Sequence, residues 1–490
     1  MKMKKILGLI LACTAAVSLA ACGGGGDETA ESDHIVKWVN YGPDVRELNV
    51  VNDAINEYTQ EKIGETIEYM TFGSSEFIEK LQMMVATGDR IDLCFSANHR
   101  NFSANVLKGF YMDMQPYFDE YGKDIKALYP DYVYTSGIVD GKMYALPAWK
   151  DFAYEYGIGY NLQRMDEVLA ATGMKIEDVK SVADLEPLLA AFKEKYPNEF
   201  PVRITPASNF FATLGYIPVG DTSMVGSMNI YSDDGKVVNP YEQEDAKEYY
   251  KLMRDWYTKK YMSADVATLN ANATSGGKSL VSLSQMLPYQ RMVSNRTQPD
   301  DKKSGDINLW EPWMVSTAGS MQSIPRTAKN PEGAMKFLNL LNTDEYLRNL
   351  VALGVEGQHY EKVDDFHFKY VDGKTRDEMG YYSWPYTQGN VYLTMQIEGT
   401  PDDIYEKYKE FDDRALPAQN FGFSFNSESL KTEVAAVGNV YNEFIPGLVT
   451  GSVDPDVYLP QALDKMKIAG IDKIIAEMQK QFDEWKVQQK

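Results

Sequence analysis

The chain has 490 residues, 44% of them hydrophobic, and a formal charge of −22. That length and apolar content allow a sizeable core and more than one folded unit. The negative field repels nucleic acid and anionic lipid surfaces, so a nucleic-acid partner is excluded.

At the start, Lys2, Lys4 and Lys5 precede an apolar run over 6–11 that continues weakly to Ala21. A positive end, a short apolar middle and small residues at the exit describe a secretory signal rather than a spanning helix. Leu19-Ala20-Ala21-Cys22 resembles a bacterial lipobox, which implies cleavage before Cys22 and a lipid on its sulfur. An ordinary cleaved signal with an accidental cysteine is the alternative. Gly23-Gly24-Gly25-Gly26 then gives a flexible tether. Residues 1–21 are thus expected to be a signal peptide and 22–32 a lipidated tether, placing the protein on the outer side of the cell membrane. No later stretch reaches the ~18 apolar residues of a membrane span, so the lipid is the expected anchor. Cys13 leaves with the signal, and Cys94 has no cysteine left to pair with. Its setting, Ile91-Asp92-Leu93-Cys94-Phe95, reads as a buried strand.

The next elements alternate. Residues 35–41 read as a strand closed by Gly42-Pro43, and Leu48, Val51, Ile55 and Tyr58 at spacings of three and four read as a helix ending near Gly64. A second strand over 66–72 is followed by a helix carrying Phe77, Leu81, Met84 and Val85, with Ser75 as its expected N-cap and Gly88 as its stop. Residues 91–95 make a third strand, apolar enough to be buried on both faces. Strand-helix-strand-helix-strand implies a parallel α/β sheet, with ligands gathering outside the carboxyl ends of its strands. Those ends supply Tyr41, Asp44, Asn98, His99 and Arg100.

Further on, Gly141-Lys142-Met143-Tyr144-Ala145-Leu146-Pro147 leads to a tyrosine-rich strand ending in Tyr160-Asn161. A second block runs from Thr317-Ala318-Gly319-Ser320 to Ile324-Pro325-Arg326, then Asn330-Pro331-Glu332-Gly333-Ala334 and a helix. In order and spacing these blocks resemble the two crossovers of the family 1 extracellular solute-binding proteins, the ligand-capturing components of ABC importers. The likeness spans the mature chain and is nearest to an oligosaccharide-associated lipoprotein branch with a long C-terminal extension, seen here from Phe421-Gly422-Phe423 onward. It implies a two-lobed periplasmic-binding-protein-like α/β fold with the ligand in a cleft at the hinge. Mapping the crossovers gives lobe 1 as 33–147 and 316–346, and lobe 2 as 148–315 and 347–490. The final helix, with Ile471, Ile474, Ile475, Met478, Phe482 and Trp485 on one face, is expected to pack.

The 33 tyrosines outnumber 20 phenylalanines and 7 tryptophans, which suits a cleft that is apolar and hydrogen-bonding together. Sugars present flat C–H faces to aromatic rings and edge hydroxyls to carboxylates, amides and guanidinium groups. The candidate ligand contacts are Tyr41, Asp44, Asn98, Arg100, Trp149, Asp151, Tyr154, Trp310, Trp313, Glu356, Tyr360 and Trp384, each of which could instead pack or cap. Trp149 and Trp313 stand out because the crossovers place them at the hinge, whereas mid-strand Trp38 is assigned to the core. The implied function is capture of an oligosaccharide and its delivery to an ABC permease by a monomer needing no cofactor or metal. A ligand-sensing lipoprotein for a receptor kinase and a surface glycoside hydrolase are the alternatives. For the latter, Asp233-Asp234, Asp402-Asp403 and Asp412-Asp413 read as solvated turns rather than an opposed catalytic pair. No Gly-x-Ser-x-Gly, His-Glu-x-x-His or complete phosphate-loop motif occurs.

Overall fold

The computed structural model describes residues 34–153, 155–206, 211–220, 225–269, 279–286, 291, 295 and 298–488. The lipobox with Cys22, and Tyr154, lie outside the described residues.

The first lobe is built as the apolar spacing dictates. Strand β1 (Ile35–Tyr41) is followed by helix α1 (Leu48–Ile63), which buries Val51, Ile55 and Thr59 along one stripe and ends at Gly64 with φ +74°. Strand β2 (Thr66–Phe72) leads to helix α2 (Phe77–Thr87), whose buried Phe77, Leu81 and Val85 recur every fourth residue before Gly88. Ser75 is not its cap: a turn closed by Gly73 sets the helix start, and the N-cap position is Glu76. Strand β3 (Leu93–Ser96) is buried throughout, Cys94 included. β1 lies between β2 and β3, parallel to both, and Met321–Ser323 extends the sheet antiparallel to β3, with Leu146–Pro147 beyond it. Trp38 stacks on its register partner Tyr69 with centroids 4.3 Å apart, and its indole N–H donates to Gln322.

The second lobe has a sheet ordered 304–308, 155–161, 281–286, 202–203, with Glu155–Asn161 antiparallel to both neighbours. Its core runs from Tyr156 through Trp256 to Trp313 and resumes from Ala418 to Phe482. In the last helix, Ile471–Gln488, Ile471, Ile474, Met478 and Phe482 are buried in that core. The helix Glu345–Leu353 sits elsewhere than the crossover map puts it. Leu347, Leu350 and Val351 pack in the first core with Trp38 and Phe337, not in the second. Asp344 alone joins this helix to the helix Pro331–Thr343, so its apolar face adds to the core that Pro331–Thr343 already fills with Phe337, Leu338 and Leu341.

Three segments join the lobes. One follows Leu146–Pro147, a second precedes Met321–Ser323, and the third is Leu416–Pro417, which pairs in parallel with Trp313–Met314. Asp412 ties the third to the first: its Oδ1 accepts the backbone N–H of Phe152 at 2.9 Å and of Ala153 at 2.7 Å. Asp412 is therefore buried, unlike exposed Asp413, Asp402 and the Asp233-Asp234 turn.

Candidate functional site

Three parallel strands end side by side, and their carboxyl ends carry the site. Tyr41 closes β1, Ser74 follows β2, and Arg100 lies in the short turn Asn98–Arg100 after β3. The Tyr41 and Ser74 hydroxyls hydrogen-bond each other. The Arg100 guanidinium stands 4.7 Å above the Tyr41 ring, and Trp384 meets that ring edge-on with centroids 4.9 Å apart. Tyr41, Arg100 and Trp384 are thus brought together from three distant parts of the chain, all half-buried.

Trp384 reaches β1 through a buried polar network. Thr387 Oγ1 donates to the Tyr41 carbonyl at 3.0 Å, and Gln322 Nε2 donates to the Thr387 carbonyl at 2.8 Å and to Asn40 Oδ1 at 3.1 Å. Arg348, wholly buried on the helix Glu345–Leu353, donates to the carbonyls of Pro385 at 2.8 Å and Asn390 at 2.9 Å. Burial lowers the Arg348 pKa to about 10, still charged at neutral pH, so carbonyl dipoles hold a buried cation in place. Nothing in the sequence around Arg348 or Gln322 announces this role; only the fold brings them to the loop.

At the first crossing Lys150 points its ammonium over the Tyr386 ring, 5.9 Å from the centroid. Burial pulls its pKa down and the charge of Asp151 pushes it back up. Partial burial, then the charges of Arg100 and Lys150, hold His99 below its ordinary value. Two cations, Arg100 and Lys150, with a neutral His99 beside them, therefore sit on the first lobe of a strongly acidic protein. Across the hinge, Glu155 is only 3% exposed, and burial pushes its carboxyl up to about 7; Arg414 opposes this, while Asp306 and Glu311 add to it. Half-exposed Tyr231 feels both Glu311 and Glu155.

The remaining candidates are scattered. Asp44 is exposed, and Asn98 is half-buried with its backbone N–H bonded to Ala318. Trp310 is half-buried. Trp313 is only 2% exposed and packs in the second core against Tyr156, so it offers no ring to a ligand. Trp149 is buried between Tyr129 and Tyr392, with the Lys409 ammonium 5.5 Å from its ring. Tyr360 is buried against Phe368 in a small satellite core, and exposed Glu356 lies near Lys362. Among the described residues no group of three His, Cys, Asp or Glu is placed to hold a metal, and no helix is long and apolar enough to cross a membrane.

Two α/β lobes, three connecting segments and an aromatic, hydrogen-bonding cluster at the strand ends define a hinged ligand-binding protein. Comparison with known proteins agrees. Residues 53–355 match the bacterial extracellular solute-binding protein family, and the chain belongs to it. Residues 419–487 match a domain of unknown function, DUF3502. A carbohydrate ABC transporter substrate-binding protein from Streptococcus pneumoniae is 29% identical over 487 residues, covering 96% of each chain. The crystal structure of NgtS, an N-glycan transport solute-binding protein of the same organism, superposes with a TM-score of 0.81 at 26% identity, covering 93% of this chain and 100% of that one. Its complexes with Man1GlcNAc and Man5GlcNAc give 0.72 and 0.69 at the same identity, over 92% and 93% of this chain and 99% of theirs.

Proposed function

We propose that this chain is the carbohydrate-capturing component of an ABC importer, holding an oligosaccharide between its lobes and presenting it to a permease. The observation that carries the reading is the cluster of Tyr41, Trp384 and Arg100 at the strand ends. Its rings suit the C–H faces of a sugar and its guanidinium suits the hydroxyl edge. Relatives that bind carbohydrate along the whole chain length support it. Ligand held by one lobe gains contacts from the other, so binding shifts the hinge toward closure. The lipid on Cys22 would keep the protein beside its permease, and a binder that releases its ligand intact needs no catalytic pair.

The test is a melting-temperature screen against free oligosaccharides, mannose–N-acetylglucosamine glycans first. A ligand at 100 times its Kd adds about 2.7 kcal/mol to the folded state. The expected result is a rise in Tm with the glycan recovered unchanged. No shift with any oligosaccharide would overturn the reading, and cleaved glycan would make the protein an enzyme.

A further inference from the structure

The segment that delivers Trp384 to the strand ends also encloses a second space. Beside Tyr386 opens a cavity of about 860 Å3, within the roughly 300–1,000 Å3 of small-molecule sites. Its wall includes Tyr370, Arg376, Tyr382 and Glu398 from the first-lobe side, and Gln298, which precedes the second-lobe strand Ser304–Asn308. The Arg376 guanidinium lies 5.3 Å from the centroid of the Tyr382 ring. These are the group types a sugar needs, rings for its faces and an amide, a carboxylate and a guanidinium for its hydroxyls.

Two features tie the cavity to the cleft. Tyr386 belongs to both: 38% exposed, it lines the cavity while Lys150 from the first crossing stands over its ring. Gln298 brings the second lobe to the wall, so a ligand filling the space touches both lobes.

We propose that this cavity is an outer subsite, taking the sugar residues of an oligosaccharide farthest from those held at Tyr41, Trp384 and Arg100. The inference rests on the carbohydrate reading above. Short ligands would occupy the strand-end cluster alone, and longer or branched ones would reach the cavity and gain affinity there.

Calorimetric titration of the full chain with Man1GlcNAc and with Man5GlcNAc separates the possibilities. Arg376→Ala and Tyr382→Ala are expected to weaken binding of the larger glycan by about tenfold or more while leaving the smaller within about twofold. Tyr382→Phe, which keeps the ring, should retain most of the affinity. Both positions are at least partly solvent-accessible, so an unchanged Tm is the control for folding. Equal losses for both glycans, or no loss for either, would overturn the subsite. Failure of wild-type protein to bind either glycan, with other oligosaccharides also inert, would overturn the carbohydrate reading and the subsite with it.

Discussion

Tyr41 and Trp313 are both aromatic and both next to ligand-facing segments, yet their surroundings give them opposite tasks. Tyr41 keeps part of its ring accessible at the end of β1, whereas Trp313 is enclosed by the second core. Replacing Tyr41 or Trp384 with Ala should therefore cost about 1–3 kcal/mol of glycan affinity, the scale of uncovering an aromatic contact, with little change in Tm. Trp313→Ala should instead cost about 3–5 kcal/mol of folding stability, because it empties a packed volume. Calorimetry and urea unfolding on the three variants check this; a Trp313 variant of normal stability that has lost the ligand would reverse the assignment. The strand ends were legible in the sequence because β1, β2 and β3 announce themselves by apolar runs and glycine stops, and Tyr41 and Arg100 follow from them. Position beside a crossover says nothing of which way a ring faces, so the burial of Trp149 and Trp313 is not legible in the sequence. That is settled by partners such as Tyr129, Tyr392 and Tyr156, far away in the chain. Trp384 was legible as a candidate, but its place was not, since it depends on Arg348, Gln322 and Thr387 meeting in three dimensions.

At the level of elements, the hinge is where sequence reading gave least. Asp412-Asp413 looks like a polar turn, but the helix Ile404–Arg414 buries Ile404, Tyr405, Tyr408, Phe411 and Asp412 on one side. The spacing of Tyr405, Tyr408 and Asp412 is the helical signal that identifies Asp412 as inward-facing. Burial, partly offset by the N–H groups of Ala153 and Phe152, pushes the Asp412 carboxyl up to about 7, near the value that burial gives Glu155. Both groups hold protons in the folded state over a range where the unfolded chain, with ordinary carboxylate values near 4, has released them. Their contribution is fully present below about pH 4 and is lost as pH rises through about 7. Wild-type unfolding free energy should thus carry a falling component between about pH 4 and 7. Asp412→Asn keeps an oxygen for the two N–H groups but removes the titration, so its slope over that range should be shallower. Urea unfolding at a series of pH values measures both, and identical slopes would show that Asp412 does not titrate there.

For the whole molecule, the question is which contacts bias the lobes before ligand arrives. The contacts made between the lobes in this arrangement weigh on the hinge equilibrium that ligand must shift. One of them is a single hydrogen bond, from Ser424 Oγ in the C-terminal extension to Ser103 Oγ on the first lobe, at 2.7 Å. It sits beside a 540 Å3 cavity walled by Leu107, Ile138 and Val139 on one side and Phe423, Phe425 and Trp485 on the other. Hinge motion changes the shape of such a cavity with little strain in either core, since each lobe moves as a packed unit. A neutral hydrogen bond contributes about 0.5–1.5 kcal/mol, and one present only in the unliganded arrangement taxes binding by that amount. Ser424→Ala, which deletes this bond, should then tighten apparent glycan affinity by roughly twofold to tenfold. Titration of this variant and the wild type against one glycan decides it: unchanged affinity would show that the bond does not bias the hinge, and weaker binding would assign the contact to the closed state.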